Sequence, residues 1–64
     1  MQRDSKKIIK TLKMEGWELV RTSGSHHHFQ HPHQKGTVTV PHPNKNIHPK
    51  TVKSIERQSG VTFS

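Results

Sequence analysis

Apolar positions along the chain switch from helical spacing to alternation and back, and the switches mark out the elements. Over residues 5–15, Ile8, Ile9 and Leu12 form one apolar stripe, with Lys6, Lys7, Lys10 and Lys13 on the remaining surface. This pattern predicts an amphipathic helix, capped by Asp4 or Ser5 accepting from a free first-turn amide. Gly16 ends it, since glycine tolerates the left-handed conformation of a helix stop. Trp17 to Thr22 reads as a first strand, Thr22-Ser23-Gly24-Ser25 as a turn, and Ser25 to His31 as a second strand. The segment His31-Pro32-His33-Gln34-Lys35-Gly36 reads as a hairpin loop. Thr37-Val38-Thr39-Val40, β-branched throughout, is the third strand, stopped by Pro41, which lacks the amide a ladder would need. After a loop to His48, Pro49 opens a second helix at the position where its missing amide costs nothing. Ile47 and Val52 stand at the offset of a hydrophobic staple, Val52 and Ile55 mark the inner face, and Gly60 ends the helix with Val61 packing back onto Ile55.

The expected class is therefore α+β in the order α-β-β-β-α: a three-stranded antiparallel sheet with both helices on one face. The residues that fit its core are Ile8, Ile9, Leu12, Trp17, Leu19, Val20, Phe29, Val38, Val40, Ile47, Val52, Ile55, Val61 and Phe63. With 64 residues the chain forms one domain, spanning 1–64, with a thin stability margin. Such a core holds two helices against a small sheet but encloses no deep pocket, so no small-molecule cofactor is expected. The element order is that of double-stranded-RNA-binding domains, a fold-level likeness that does not dictate function.

Composition narrows the chemistry. The absence of cysteine excludes disulfides, thiolate zinc sites and cysteine nucleophiles. No apolar run is long enough to span a bilayer, and the first residues lack the apolar stretch of a secretory leader. A soluble, cytoplasmic protein with no membrane association is the expectation. Eleven Lys and Arg against four Asp and Glu leave a formal net charge of +7, which points to a polyanion: nucleic acid, an acidic membrane face or an acidic protein.

Seven histidines are the most unusual feature, and three of them are consecutive. Phe29 is the one large apolar residue of the second strand, so it faces the helices. Alternation then puts His27 on the same side and turns His26 and His28 to the open face, where a ligand can reach them. Imidazole both takes and gives protons near neutral pH. RNA carries its own nucleophile, the 2′-hydroxyl. Its cleavage needs a base, an acid for the leaving 5′-oxygen, and cations for the charge that develops on phosphorus. The basic candidates are Arg21, Lys35, Lys45, Lys50 and Lys53, and spacing does not choose among them. A blander reading makes the run three polar strand residues with His27 half-buried. A metal reading would pair His26 and His28 with His31, His33, His42 or His48. No carboxylate or cysteine accompanies them at ligand spacing, and no metal is expected. Pro41-His42-Pro43 reads as a stiff connector more than a catalytic element, although it lies near the end of the third strand.

Taken together, Gly16-Trp17, Arg21, Gly24-Ser25-His26-His27-His28-Phe29, His31-Pro32, Val38-Thr39-Val40-Pro41-His42-Pro43, Thr51-Val52-Lys53-Ser54-Ile55, Arg57-Gln58 and Gly60 closely resemble the HicA toxins of toxin–antitoxin systems. The likeness runs from about residue 5 to residue 61. It implies the fold already read, metal-independent cleavage of mRNA that halts translation and growth, and a HicB-type antitoxin partner covering the active face. The family's catalytic histidine falls on His26, with His28 a second choice and Ser25 in support. Gly24, Arg21 and the four lysines named above would contact single-stranded RNA. Three consecutive histidines leave the register open between His26 and His27. The chain departs from the family's usual glycine ahead of the helix-opening threonine, reading His48-Pro49-Lys50-Thr51 instead. A non-catalytic RNA-binding module, or a subunit that binds protein or operator DNA, would share the fold and charge but have no use for the histidine.

Overall fold

The computed structural model describes residues 1–63. Helix α1 (Ser5–Met14) leads into strands β1 (Glu18–Ser23), β2 (His26–His31) and β3 (Gln34–Pro41), followed by helix α2 (Pro49–Ser59). The strands form one antiparallel sheet in the order β1-β2-β3. This is the α+β, double-stranded-RNA-binding-like arrangement that the hydrophobic pattern implies.

Capping chemistry sets the helix ends. Asp4 caps α1, its carboxylate accepting from the Lys6 amide at 3.0 Å. His48 caps α2, with Nδ1 accepting from the Lys50 amide at 3.1 Å and Pro49 following in the first turn. Gly60 closes α2 in the left-handed conformation, φ 73°.

Ile8 and Leu12 of α1, Val52 and Ile55 of α2, Phe29, Val38 and Val40 of the sheet, and Trp17, Ile47 and Phe63 form one buried cluster. Ile9 and Val61 pack against it, partly buried. Leu19 and Val20 do not join: they are 45 % and 51 % exposed. The helices pack toward the β3 side of the sheet, which leaves β1 an uncovered edge whose residues are all exposed. A register irregularity between Leu19 and Arg21 further breaks the alternation that would have turned both residues inward.

Both hairpins are tight. Gly24 and Ser25 join Ser23 to its partner His26, with Gly24 at φ 58°, the positive value that two-residue hairpin turns favour at their first position. Pro32 and His33 join His31 to its partner Gln34. The expected six-residue loop is thus a two-residue turn, and Gln34, Lys35 and Gly36 belong to β3. Gly36, at φ 88°, accompanies the register shift between Phe29 and His31. Pro41 is the last residue of β3 rather than its stop. The next amide, of His42, bonds the Ser25 carbonyl at 2.8 Å, so the proline nitrogen falls on the free edge of the strand.

His31 latches this sheet to α1. Its Nδ1 accepts from the His33 amide at 3.0 Å, which leaves Nε2–H to donate to the Glu15 carbonyl at 3.0 Å. The ring also stands edge-on to Trp17 at 5.3 Å. Gly16 makes room for it: a Cβ there would lie 2.7 Å from His31 Nε2, and its φ of 94° disfavours any side chain.

Candidate nucleic-acid interface on a histidine-rich sheet

The two-residue period of β2 divides its histidines between the two faces of the sheet. Phe29 is fully buried beneath the helices, so His26 and His28 share the uncovered face with Gln30. Arg21 lies directly opposite His28 on β1, and Thr39 directly opposite it on β3. His28 Nδ1 and Thr39 Oγ1 are 3.0 Å apart, which fixes the ring and leaves Nε2 without a partner among the described residues. The irregularity at Val20 brings Arg21, rather than Val20, into register with His28. A row across the three strands thus carries guanidinium, imidazole and hydroxyl groups side by side.

On the opposite face, His27 meets His42. Their rings stand edge to face, with centroids 4.8 Å apart and planes at 87°. Both residues are half-buried. His42 follows Val38 and Val40 on the helix-facing side, and a buried hydroxyl holds its Nδ1: Ser5 Oγ lies 2.7 Å away. That oxygen accepts from the Asn44 amide at 2.8 Å. Its proton has Nδ1 as its acceptor, because an unpaired buried hydroxyl proton costs about 1–3 kcal/mol. Neutral His42 is therefore the Nε2–H tautomer. Burial first, then the charges of His42, His28 and Lys13, hold the pKa of His27 below the ordinary imidazole value.

Hydrogen bonding sorts the seven imidazoles by duty. The rings of His31 and His48 serve backbone amides, that of His42 is tied to Ser5, and that of His28 to Thr39. Among the described residues the rings of His26, His27 and His33 make no hydrogen bond to protein. No group of three or more His, Asp or Glu side chains among the described residues is arranged to hold a metal ion.

Of the other candidates, Gly24 and Ser25 form the turn that delivers His26, and a Cβ at Gly24 would meet open space. The service of Gly24 is therefore its backbone angle. Only Arg21 among the basic candidates stands beside the open-face imidazoles. Lys35 lies near the far hairpin, Lys45 in the loop after β3, and Lys50 and Lys53 on α2 in the helical layer. A signal for His42 was readable, since 38, 40 and 42 continue one alternation, but reading Pro41 as a strand stop concealed it. Ser5, taken only as an alternative cap, gave no signal of its tie to His42.

A family model described as the HicA toxin of bacterial toxin–antitoxin systems matches residues 5–61 of the chain. No curated protein matches it.

Proposed function

Because the chain belongs to the HicA toxin family, we propose that it is a metal-independent endoribonuclease that cleaves mRNA on the open face of its sheet, halting translation and growth. The observation that carries this reading is the placement of His26 and His28 on the uncovered face, with Arg21 in register with His28. Two residues along a strand separate the histidines by about 7 Å, a span over which one imidazole serves the attacking oxygen and the other the leaving oxygen of a single phosphodiester.

In this mechanism one imidazole, assigned to His26, takes the proton of the 2′-hydroxyl. The 2′-oxygen forms a bond to phosphorus and the bond to the 5′-oxygen breaks. His28, oriented by Thr39, gives its proton to that oxygen. Arg21 offsets the charge that builds on the non-bridging oxygens. The products are a 2′,3′-cyclic phosphate and a 5′-hydroxyl. Ser25 supports the turn that presents His26, and Lys35, Lys45, Lys50 and Lys53 attract the substrate from farther away.

Family membership implies an antitoxin partner. We take it to be a HicB-type protein that covers the open face and so blocks the substrate. No helix among the described residues is long and apolar enough to cross a membrane.

Incubation of single-stranded RNA in EDTA with the parent protein and with His26→Ala tests the reading. Cleavage by the parent and not by the variant, with both folded, is the expected result. RNA left intact by the parent with and without divalent ions, yet bound in a salt-sensitive way, would make the chain a non-catalytic RNA-binding module.

A further inference from the structure

We infer that His27 and His42 form a phosphate-binding subsite on the helix-facing side of the sheet end, one that seats an RNA backbone phosphodiester next to the one being cut. The inference rests on the RNA-directed reading for the source of the phosphate, and on the geometry alone for the anion.

Three observations carry it. First, the pair is built rather than incidental. His42 is fixed by a nearly fully buried serine, whose oxygen is in turn fixed by the Asn44 amide. The Nδ1 of His42 is thereby committed, and Nε2–H is left as a donor without a protein acceptor among the described residues. Second, His27 is half-buried against His42, yet neither of its ring nitrogens has a partner among the described residues. Both of its nitrogens are therefore available to a ligand, on a ring that packing against His42 already orients. Third, the charges that act on His27 are those of His42, His28 and Lys13, all basic. An anion would accept hydrogen bonds from both rings and offset the repulsion among these neighbours.

Position joins the subsite to the open face. His26 pairs with Pro41, and the very next amide, of His42, bonds the Ser25 carbonyl. His26 and His42 therefore flank the same end of the β2–β3 ladder, one on each side. A strand of RNA passing over that end can meet His26 with one phosphate and the pair with its neighbour. A phosphodiester offers two non-bridging oxygens, one for each ring.

Nuclear magnetic resonance of the histidine rings tests this with two probes: inorganic phosphate, and a short 2′-deoxy oligonucleotide, which carries diesters but no 2′-hydroxyl to cleave. At constant ionic strength, phosphate should shift the His27 and His42 signals together and saturably, leaving those of His33 and His48 in place. Affinity should fall about tenfold in His42→Ala and in His27→Phe, the latter keeping an aromatic ring against His42. It should stay unchanged in His33→Ala. The oligonucleotide should displace phosphate from the pair. Shifts spread evenly over all the imidazoles, or His27→Phe binding as well as the parent, would overturn the subsite. Phosphate binding that the oligonucleotide does not compete with would overturn its assignment to nucleic-acid backbone. If the variants fail to fold, the ring shifts of the parent decide. Cleavage is not read in this experiment, so an inactive parent that still binds phosphate through His27 and His42 would retain the inference while the ribonuclease reading fell.

Discussion

The two faces of the sheet use the same side chain in opposite ways. On the open face, among the described residues, the ring of His26 makes no hydrogen bond to protein, and that of His28 is steadied at Nδ1 by Thr39 with Nε2 unpartnered. On the helix-facing side, His42 has its tautomer set by a buried hydroxyl, and His27 is held toward its neutral form by burial and basic neighbours. A run of identical residues thus becomes two environments because a strand turns successive side chains to opposite faces. Residue type supplies imidazole, and the face decides what surrounds it: solvent and the polar side chains of neighbouring strands on one side, the helices and other basic groups on the other.

The largest test of this contrast substitutes across the run. General acid–base catalysis contributes about 10²–10⁴-fold, so His26→Ala should lower RNA cleavage by that order with its circular dichroism unchanged. His28→Ala should cost about tenfold or more, and Thr39→Val less, since it removes only the steadying bond. His27→Ala should act mainly on KM, through the phosphate it seats. If kcat collapses in His27→Ala while His26→Ala stays active, the catalytic register moves to the helix-facing side and the contrast inverts.

His31 is the extreme of the fixed class, and it is tested through its neighbour. Gly16→Ala places a methyl group 2.7 Å from His31 Nε2 on a backbone at φ 94°. The imidazole must then give up its bond to the Glu15 carbonyl or the glycine must change conformation. Either costs about 1–3 kcal/mol, which is a large part of the stability of so small a domain. Urea unfolding should read that loss. The same substitution at Gly24 meets open space and pays only for its positive φ, so it should cost less.

Much of this was legible in the residues, for identifiable reasons. Helix ends follow from Asp4, Gly16, Pro49 and Gly60, whose chemistry is local. The outward placement of His26 and His28 follows from Phe29 and simple alternation. What was not legible depends on contacts between distant segments. The register irregularity at Val20, which brings Arg21 beside His28, is a property of two strands together. The exposure of Leu19 and Val20 depends on where the helices lie, and no local pattern reports that. The tie between Ser5 and His42 spans 37 positions, and nothing in either neighbourhood announces it. Four of the six RNA-contact candidates are lysines, chosen by charge alone, and they are spread over β3, a loop and α2.

Acidification separates the faces by a smaller amount. Because the folded-state pKa of His27 lies below the ordinary value of about 6.5 expected in the unfolded chain, the unfolded state binds more protons between those two values. Stability therefore rises with pH through that window. It is fully present above the unfolded value and is lost as pH falls toward the folded one. The urea midpoint should drop between about pH 7 and pH 5, and His27→Phe should flatten part of that slope. An identical slope in His27→Phe would show that the basic neighbours place no burden on this ring.

The smallest expected effect lies on the uncovered edge. Leu19 is opposite Phe29, on the helix-facing side, yet 45 % of it is exposed, and Val20 sits in the irregularity with 51 % exposed. If the helices leave β1 uncovered, then Leu19→Thr and Val20→Thr each place a β-branched residue in the strand and give up little buried area. Each should change unfolding free energy by no more than about 0.5 kcal/mol, the usual range for surface sites. Val40→Thr, fully buried on the covered side of β3, should cost several times as much. A Leu19→Thr variant as damaged as Val40→Thr would mean that the covered face extends to β1. The separation between an enclosed side and a free side would then stop at the edge strand rather than run across the whole sheet.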